Sequence, residues 1–526
     1  MEACRTGQHL GFHFDFDDPD SGTFSVTGKS KNRQVSGAPR AVHTFVCEGD
    51  TSSRWNAETR QCEYAVKVRA ENPAGDFDDA CIDIEIKPQQ EAYAPENTIC
   101  VSSENDFANC PEGVPAENLM TDSPAHGTVS GKRILFERGS SGVYSEICVD
   151  YADKNVRIDT YGTGSAPVIA NAVFGVAGSC GDSIPTNAEI AGYDELSKDA
   201  LGNVVSGWAY DVGIANVRLG SLDAGMAVTL LQLYNLDLDW SEGGGYAGGV
   251  TLGSNGQNCT NNNDLDCDNV QYPYGIFASE VRSYGNEVNP AVDLPLVNFG
   301  CFTDCGMVNS AVIGSYGKAA DEHNMRIMGS WGLLVSNSWF AGDHIGPDGS
   351  GGGGKSKLTM RTMNTGALSS ETANPEDFVN GSHNGSAPGW QRSGVNSQQY
   401  TPHYMFVIDS IFGDTTQHPN NADASFLSFN SGLRYSGSFG SQFLTYPGAP
   451  SNPALLGLGG VHIVAVDTIF NDHNITCRYV QADTHSDGSY YFDRDLIFSD
   501  TPDDRCNGAP RVLPEPGAPG GSSSNL

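Results

Sequence analysis

From about residue 95 onward one short pattern keeps returning: apolar residues, then Asn or Asp, two further residues, then Phe, Ile or Val. Clear copies are Val335-Ser-Asn337-Ser-Trp-Phe340, Val407-Ile-Asp409-Ser-Ile-Phe412, Val466-Asp467-Thr-Ile-Phe470 and Asp495-Leu-Ile-Phe498; weaker ones stand at Asn235, Glu280 and Asn309. Successive copies lie 45, 29, 28, 72, 58 and 28 residues apart, so a step near 28 is lengthened by insertions in three places. A supersecondary unit that recurs at such a period cannot bury its apolar face alone and has to stack on its neighbours. The repeated Asn and Asp read as structural, because amides stacked at a turn satisfy backbone groups and one another.

A second series alternates with the first, of the form apolar, any, apolar: Val217-Arg-Leu219, Val250-Thr-Leu252, Met325-Arg-Ile327, Leu358-Thr-Met360 and Leu427-Ser-Phe429. Two strand series per step, each with period-two alternation, predict coils stacked as a parallel β-helix around a column of inward Val, Leu, Ile and Phe. A β-propeller is the second choice, and its blades need four strands per repeat. The fold class expected is therefore all-β.

Composition agrees. Sixty-three of 526 residues are glycine, above the ordinary share of about 7%, which suits a chain rich in turns. Asp and Glu number 64 against 29 Lys and Arg, a formal charge of -35; its field repels nucleic acid. No apolar run reaches the roughly 18 residues of a membrane span. Fourteen cysteines favour an oxidising compartment, hence a secreted or cell-surface protein. The start Met1-Glu2-Ala3-Cys4 has no basic and apolar leader, which suggests a mature chain with an added methionine. Spacing predicts disulfides Cys47–Cys62, Cys100–Cys110, Cys148–Cys180, Cys259–Cys267, Cys301–Cys305, Cys477–Cys506 and Cys4–Cys81.

Residues 1–90 predict a separate small β-sandwich, with strands at 11–17, 41–47, 64–70 and 80–86. Its segments Phe14-Asp15-Phe16-Asp17-Asp18, His43-Thr44-Phe45 and Tyr64 to Gly75 resemble the polycystic kidney disease (PKD) type of immunoglobulin-like domain over residues 8–87, without the tryptophan usual before the first aspartate. The portion 95–505 resembles the right-handed parallel β-helix proteins of the pectate-lyase-like superfamily. That resemblance rests on Gly131-Lys-Arg-Ile-Leu-Phe-Glu-Arg-Gly139, Ile147 to Tyr151 and Asn155-Val-Arg-Ile-Asp-Thr-Tyr-Gly-Thr-Gly164. It implies a polysaccharide partner. Residues 506–526 read as a flexible Pro, Gly and Ser linker to a further module or anchor.

If Met325, Ile327, Leu358 and Met360 point inward, alternation sends Asn324, Arg326, Lys357, Thr359 and Arg361 outward, with Lys355 just before. One coil of about 4.8 Å should separate the two strands, gathering Arg326, Lys355, Lys357 and Arg361 as a basic cluster on an acidic chain. Paired with Asp321, Glu322 and Asp343 it is a solvated surface network; facing a substrate it is a carboxylate subsite. A lyase acting on a uronic-acid polysaccharide neutralises the substrate carboxylate while a base removes the adjacent proton. Lys355 or Lys357 would be the base, Arg326 and Arg361 would hold the carboxylate, and His323 would move the proton. Lys355-Ser356 and Leu358-Thr-Met-Arg361 resemble elements of the alginate lyase and chondroitinase B family, though here they share one strand.

A glycoside hydrolase of the same fold is the alternative and needs two carboxylates about 5 to 9.5 Å apart. Asp343-His344 is slightly similar to the Gly-His-Gly element of polygalacturonases. A non-catalytic adhesive protein is the third reading, with Trp390, Tyr400 and His403 stacking sugar rings beside Asn324. Calcium is expected at Asp264, Asp266 and Asp268, inside the predicted Cys259–Cys267 loop.

Overall fold

The computed structural model describes residues 11–25, 28–36, 40–71, 76–122, 129–149, 153–174, 209–224, 228–239, 250–252, 275–284, 297–299, 303–313, 325–327, 331–341, 357–360, 390–391, 399–400, 406–412, 426–439, 442–443, 456–466, 469–470, 475–476 and 491–492. Two sheets carry the architecture: an antiparallel sheet of five strands near the amino terminus and a 26-stranded sheet beyond it. In the large sheet each strand pairs in parallel with its counterpart in the next coil. This is an all-β chain consistent with a parallel β-helix.

Registers resolve three stacks of strands. The first runs through Lys154–Tyr161, Ala209–Ala215, the start of Val228–Asp239, Phe277–Tyr284, Thr303–Val308, Trp331–Ser336 and Phe406–Ile408. Its inward row is Ile134, Ile158, Ile214, Leu233, Ala278, Met307, Val335 and Val407, each aligned with the next. All eight are buried. The second stack follows at once and includes Ala311–Ile313, Trp339–Ala341 and Ile411–Phe412, so that Phe340, Phe412, Phe443 and Phe470 fall in register. The third stack contains Val250–Leu252, Val297–Phe299, Met325–Ile327 and Lys357–Met360.

Sequence pattern predicts two strands per coil; there are three, because the first pattern is two strands joined by a two-residue corner. Asn216, Asn235, Glu280, Asn309, Asn337 and Asp409 all have φ between 47° and 62°. A single left-handed residue turns the chain sharply with no loop, and Asn and Asp tolerate that conformation best after glycine. The side chains then stack. Asn337 donates Nδ2–H to Asn309 Oδ1 at 2.7 Å, Asn235 to Asn216 at 2.7 Å, and Asn216 to Asp159 at 2.8 Å. The residue after the corner is buried Ser310, Ser338 or Ser410. Each serine hydroxyl donates to a carbonyl two residues back, and each accepts an amide of the preceding coil: Ser410 from Ser338, Ser338 from Ser310, Ser310 from Val281. The inward serine hydroxyls of these corners are thus paired twice each.

The entry coils keep glycines where stacked turns touch. Gly139 and Gly164 both have positive φ, and a Cβ on Gly164 would lie 2.8 Å from the Gly139 Cα. No larger residue fits that approach.

In the amino-terminal sheet, β1 (Gly11–Asp15), β2 (Arg33–Ser36), β3 (Trp55–Asn56), β4 (Gln61–Glu71) and β5 (Phe77–Ile86) pair antiparallel around β4. The predicted strand at 41–47 joins no ladder. It is an extended strap whose odd residues face the sheet: His43 stacks on Phe16 at 4.5 Å, and Phe45 packs on Tyr64 at 4.6 Å. Its even residue Val42 packs on Val308, Leu334, Phe406 and Ile408 of the coils. Among the described residues, the second layer expected of a sandwich is this strap and not another sheet.

Disulfides Cys47–Cys62 and Cys100–Cys110 form as spacing predicts, the first tying the strap to β4. Cys148 and Cys305 are also disulfide-bonded, and the partners expected for them lie outside the described residues. Cys81 corrects the prediction: it is a free, exposed thiol on β5, not bridged to Cys4. The Cys259–Cys267 and Cys477–Cys506 pairs fall outside the described residues.

Two stability predictions follow from the corner. Asn337→Ala should cost about 2 to 4 kcal/mol, combining a left-handed β-carbon with the loss of a buried amide bond, whereas Asn337→Gly keeps the backbone and should cost clearly less. Thermal unfolding of both variants checks the order. At the foot of the amide row, burial pushes the Asp159 carboxyl above its ordinary range, against hydrogen bonds from Asn216 and the Thr160 amide and the attraction of Arg133. A raised folded pKa means its contribution is fully present below the unfolded value, near 4, and is lost as pH rises through the folded value. Asp159→Asn should therefore be more stable than the parent at neutral pH, with the gain vanishing below about pH 4. A gain independent of pH would contradict the assignment.

Candidate functional site

The basic residues singled out by alternation belong to the third stack. There the register aligns Met325 with Leu358, Arg326 with Thr359 and Ile327 with Met360, and then Lys357 with Phe426 and Thr359 with Ser428. Extended in both directions, one row reads Asp223, Thr251, Asn298, Arg326, Thr359 and Ser428. The rows on either side are apolar: Val250, Val297, Met325, Leu358 and Leu427 before it, Leu252, Phe299, Ile327 and Met360 after it. Since strand parity alternates between faces, the polar row and the two apolar rows belong to opposite faces of the sheet. This polar row is the candidate site.

Arg326 and Lys357 share that face. Lys357 stands two residues before Thr359, the partner of Arg326, so the two positions are one strand and two residues apart, about 8 Å between Cα atoms. The same parity includes Thr359, already outward by alternation, and adds Asn298, which sequence reasoning did not select. The signal that could have found it is the alternation itself: Val297-Asn-Phe299 repeats the form of Met325-Arg-Ile327.

Trp390 and Tyr400 face each other across a short antiparallel pair, Trp390–Gln391 with Gln399–Tyr400. A two-stranded antiparallel excursion within a stack of parallel strands is an insertion. The remaining predicted positions Lys355, Arg361, His323, Asn324 and His403 lie outside the described residues. So do Asp264, Asp266 and Asp268. Among the described residues no group of three His, Cys, Asp or Glu is placed to hold a metal.

Two carboxylates of the first two stacks, Asp211 and Asp237, pair with arginines. Arg157 binds Asp211 at 2.5 Å, and Arg282 binds Asp237 at 2.5 Å while also donating to Asn235 at 2.8 Å. These pairs join adjacent coils, consistent with a structural role.

No known protein family matches the chain, and no curated protein matches it. Among solved structures, a family 28 exopolygalacturonase from Yersinia enterocolitica is similar over 79% of this chain and 84% of its own, at 9% identity and a TM-score of 0.17. No helix among the described residues is long and apolar enough to cross a membrane.

Proposed function

We propose that this is a secreted or cell-surface, polysaccharide-active protein, most specifically a lyase on an anionic, uronic-acid polysaccharide. Its coils over 95–505 close into a right-handed β-helix, preceded by a PKD-like module over 1–90 and followed by a linker over 506–526. The observation that carries the reading is the register bringing Arg326 and Lys357, 31 positions apart in sequence, to one face of neighbouring strands. On a chain with a formal charge of -35, two cations so placed make a local site for carboxylates. Disulfides in both portions of the chain support an oxidising compartment.

In this reading Arg326 holds the uronate carboxylate in a fork of N–H donors and draws charge from the carbon that bears the leaving proton. Lys357, at about one sugar ring's reach, is the base that takes that proton, with Lys355 as its alternative; the C–H electron pair becomes the ring double bond as the adjacent glycosidic C–O bond breaks and its oxygen leaves with the neighbouring sugar. Arg361 assists the neutralisation and His323 carries the proton away. Asn298 and Thr359 flank Arg326 along the row and supply hydrogen bonds to sugar hydroxyls, as Asn324 would from its neighbouring position. Calcium at Asp264, Asp266 and Asp268 would be structural.

A binding role without catalysis is the second reading, and the Trp390–Tyr400 pair favours it. Aromatic residues suit the apolar faces of sugar rings, and His403 would add to them. A glycoside hydrolase of the same fold is the alternative and would need a carboxylate pair about 5 to 9.5 Å apart.

Arg326→Ala and Lys357→Ala should each leave stability within about 0.5 kcal/mol, as surface changes usually do. Each should weaken binding or turnover of anionic polysaccharides by about ten- to a hundredfold, the equivalent of a charge-assisted contact of ~1.5 to 3 kcal/mol. The measurement is a panel of anionic and neutral polysaccharides, followed by the ultraviolet absorbance of unsaturated uronates and by reducing ends. Unsaturated product identifies a lyase; reducing ends without it identify a hydrolase; full activity of both variants removes the subsite.

A further inference from the structure

The amide row at the corners is broken at two places by carboxylates, Glu280 and Asp409, and a lysine of the amino-terminal module reaches each of them. Lys31 Nζ lies 2.8 Å from Glu280 Oε1, and Lys29 Nζ lies 3.4 Å from Asp409 Oδ1. Neither pair is freely solvated: the lysine side chains are 16% and 22% exposed and the carboxylates 22% and 5%. Glu280 is also the wrong residue for its backbone. Its φ is 57°, a conformation for which Asn or Asp is the ordinary choice. It interrupts the amide row that resumes at Asn309 and Asn337 on one side and at Asn235 and Asn216 on the other.

The surface between the two carboxylates is apolar on its outer side. Gly306, Leu334 and Phe406 align in the row next to inward Met307, Val335 and Val407, so both faces of these strands are buried. Val42 of the strap fills that surface, packed on Leu334, Phe406, Val308 and Ile408. Gly306 makes room for it, since a Cβ there would stand 2.9 Å from Val42 Cγ2. A polar cleft of about 90 Å³ completes the junction, with Asp18, His43 and Thr44 on the module side and Tyr234, Glu280 and Asn309 on the coil side.

We infer that Glu280 and Asp409 are docking residues: they clamp the amino-terminal module, through Lys31 and Lys29, across the outer surface of the coils between them. The partner this surface fits is the lysine turn and strap of the same chain, residues 28–36 and 40–46. The module is then a fixed part of the scaffold that closes one flank of the coil stack to substrate. It is not a tethered sugar-binding domain. Glu280 costs the corner some local stability and returns it as an inter-module ion pair.

The test is Glu280→Asn in the full chain, because asparagine suits the left-handed corner and extends the amide row. Protease cleavage within residues 40–47 should become about tenfold faster, the equivalent of ~1.4 kcal/mol in docking, while the melting temperature of the coils stays the same or rises. The charge swap Lys31→Glu with Glu280→Lys should restore slow cleavage, and Asp409→Asn should reproduce the fast cleavage at the second clamp. Zero-length carbodiimide coupling should join Lys31 to Glu280 in the parent. Parent-like cleavage of Glu280→Asn, or a fall in its coil melting temperature, would overturn the assignment. None of these readouts depends on the polysaccharide reading.

Discussion

A left-handed residue at the coil corners from Asn216 to Asp409 is the constraint on which the rest of the structure depends. It turns the chain in a single residue, so two strands meet with no loop to absorb errors of register. It also points a polar side chain and the following backbone amide into a crowded interior. Asparagine meets both demands, since it tolerates the conformation and carries a donor and an acceptor that match the asparagine one coil away. Serine at the next position answers the remaining need by accepting an amide of the preceding coil. Because each coil satisfies its neighbour, the apolar row from Ile134 to Val407 can be continuous. Parallel strands at fixed spacing then follow.

That order decides where other features can sit. In the coils from Phe277 to Ile408 the outer face of the first stack is covered by the strap, and the lysines that hold it choose the two corners where the amide is replaced by a carboxylate. The third stack lies beyond the covered flank in each coil, and there the outward row keeps polar residues. Arg326 and Lys357 stand on neighbouring strands of that stack, one strand and two residues apart.

Much of this was legible in the sequence because the constraint is local. The corner pattern at Asn309, Asn337 and Asp409 reads directly as Asn or Asp followed by Ser, and the alternation at 325–327 and 358–360 gives the pairing of Met325 with Leu358 in the register observed. Other features were hidden by the absence of a punctuating residue. A corner without glycine or proline looks like one strand, so three stacks were read as two. Residues 41–47 alternate like a strand but pack on both faces while joining no ladder, His43 and Phe45 on the sheet and Val42 on the coils. The β2 and β3 segments are too short and polar to announce themselves. Asn298 looks unremarkable until the register places it beside Arg326.

The central claim is that stacked corner amides set the register of the coils, and a crystal structure of the full chain at side-chain resolution tests it most directly. The account predicts Asn337 Nδ2 within hydrogen-bond distance of Asn309 Oδ1, with Ser338 one coil from Ser310 and Arg326 paired with Thr359 in the same register. Asn309 and Asn337 on non-adjacent strands, or a corner turned with negative φ at these residues, would contradict it.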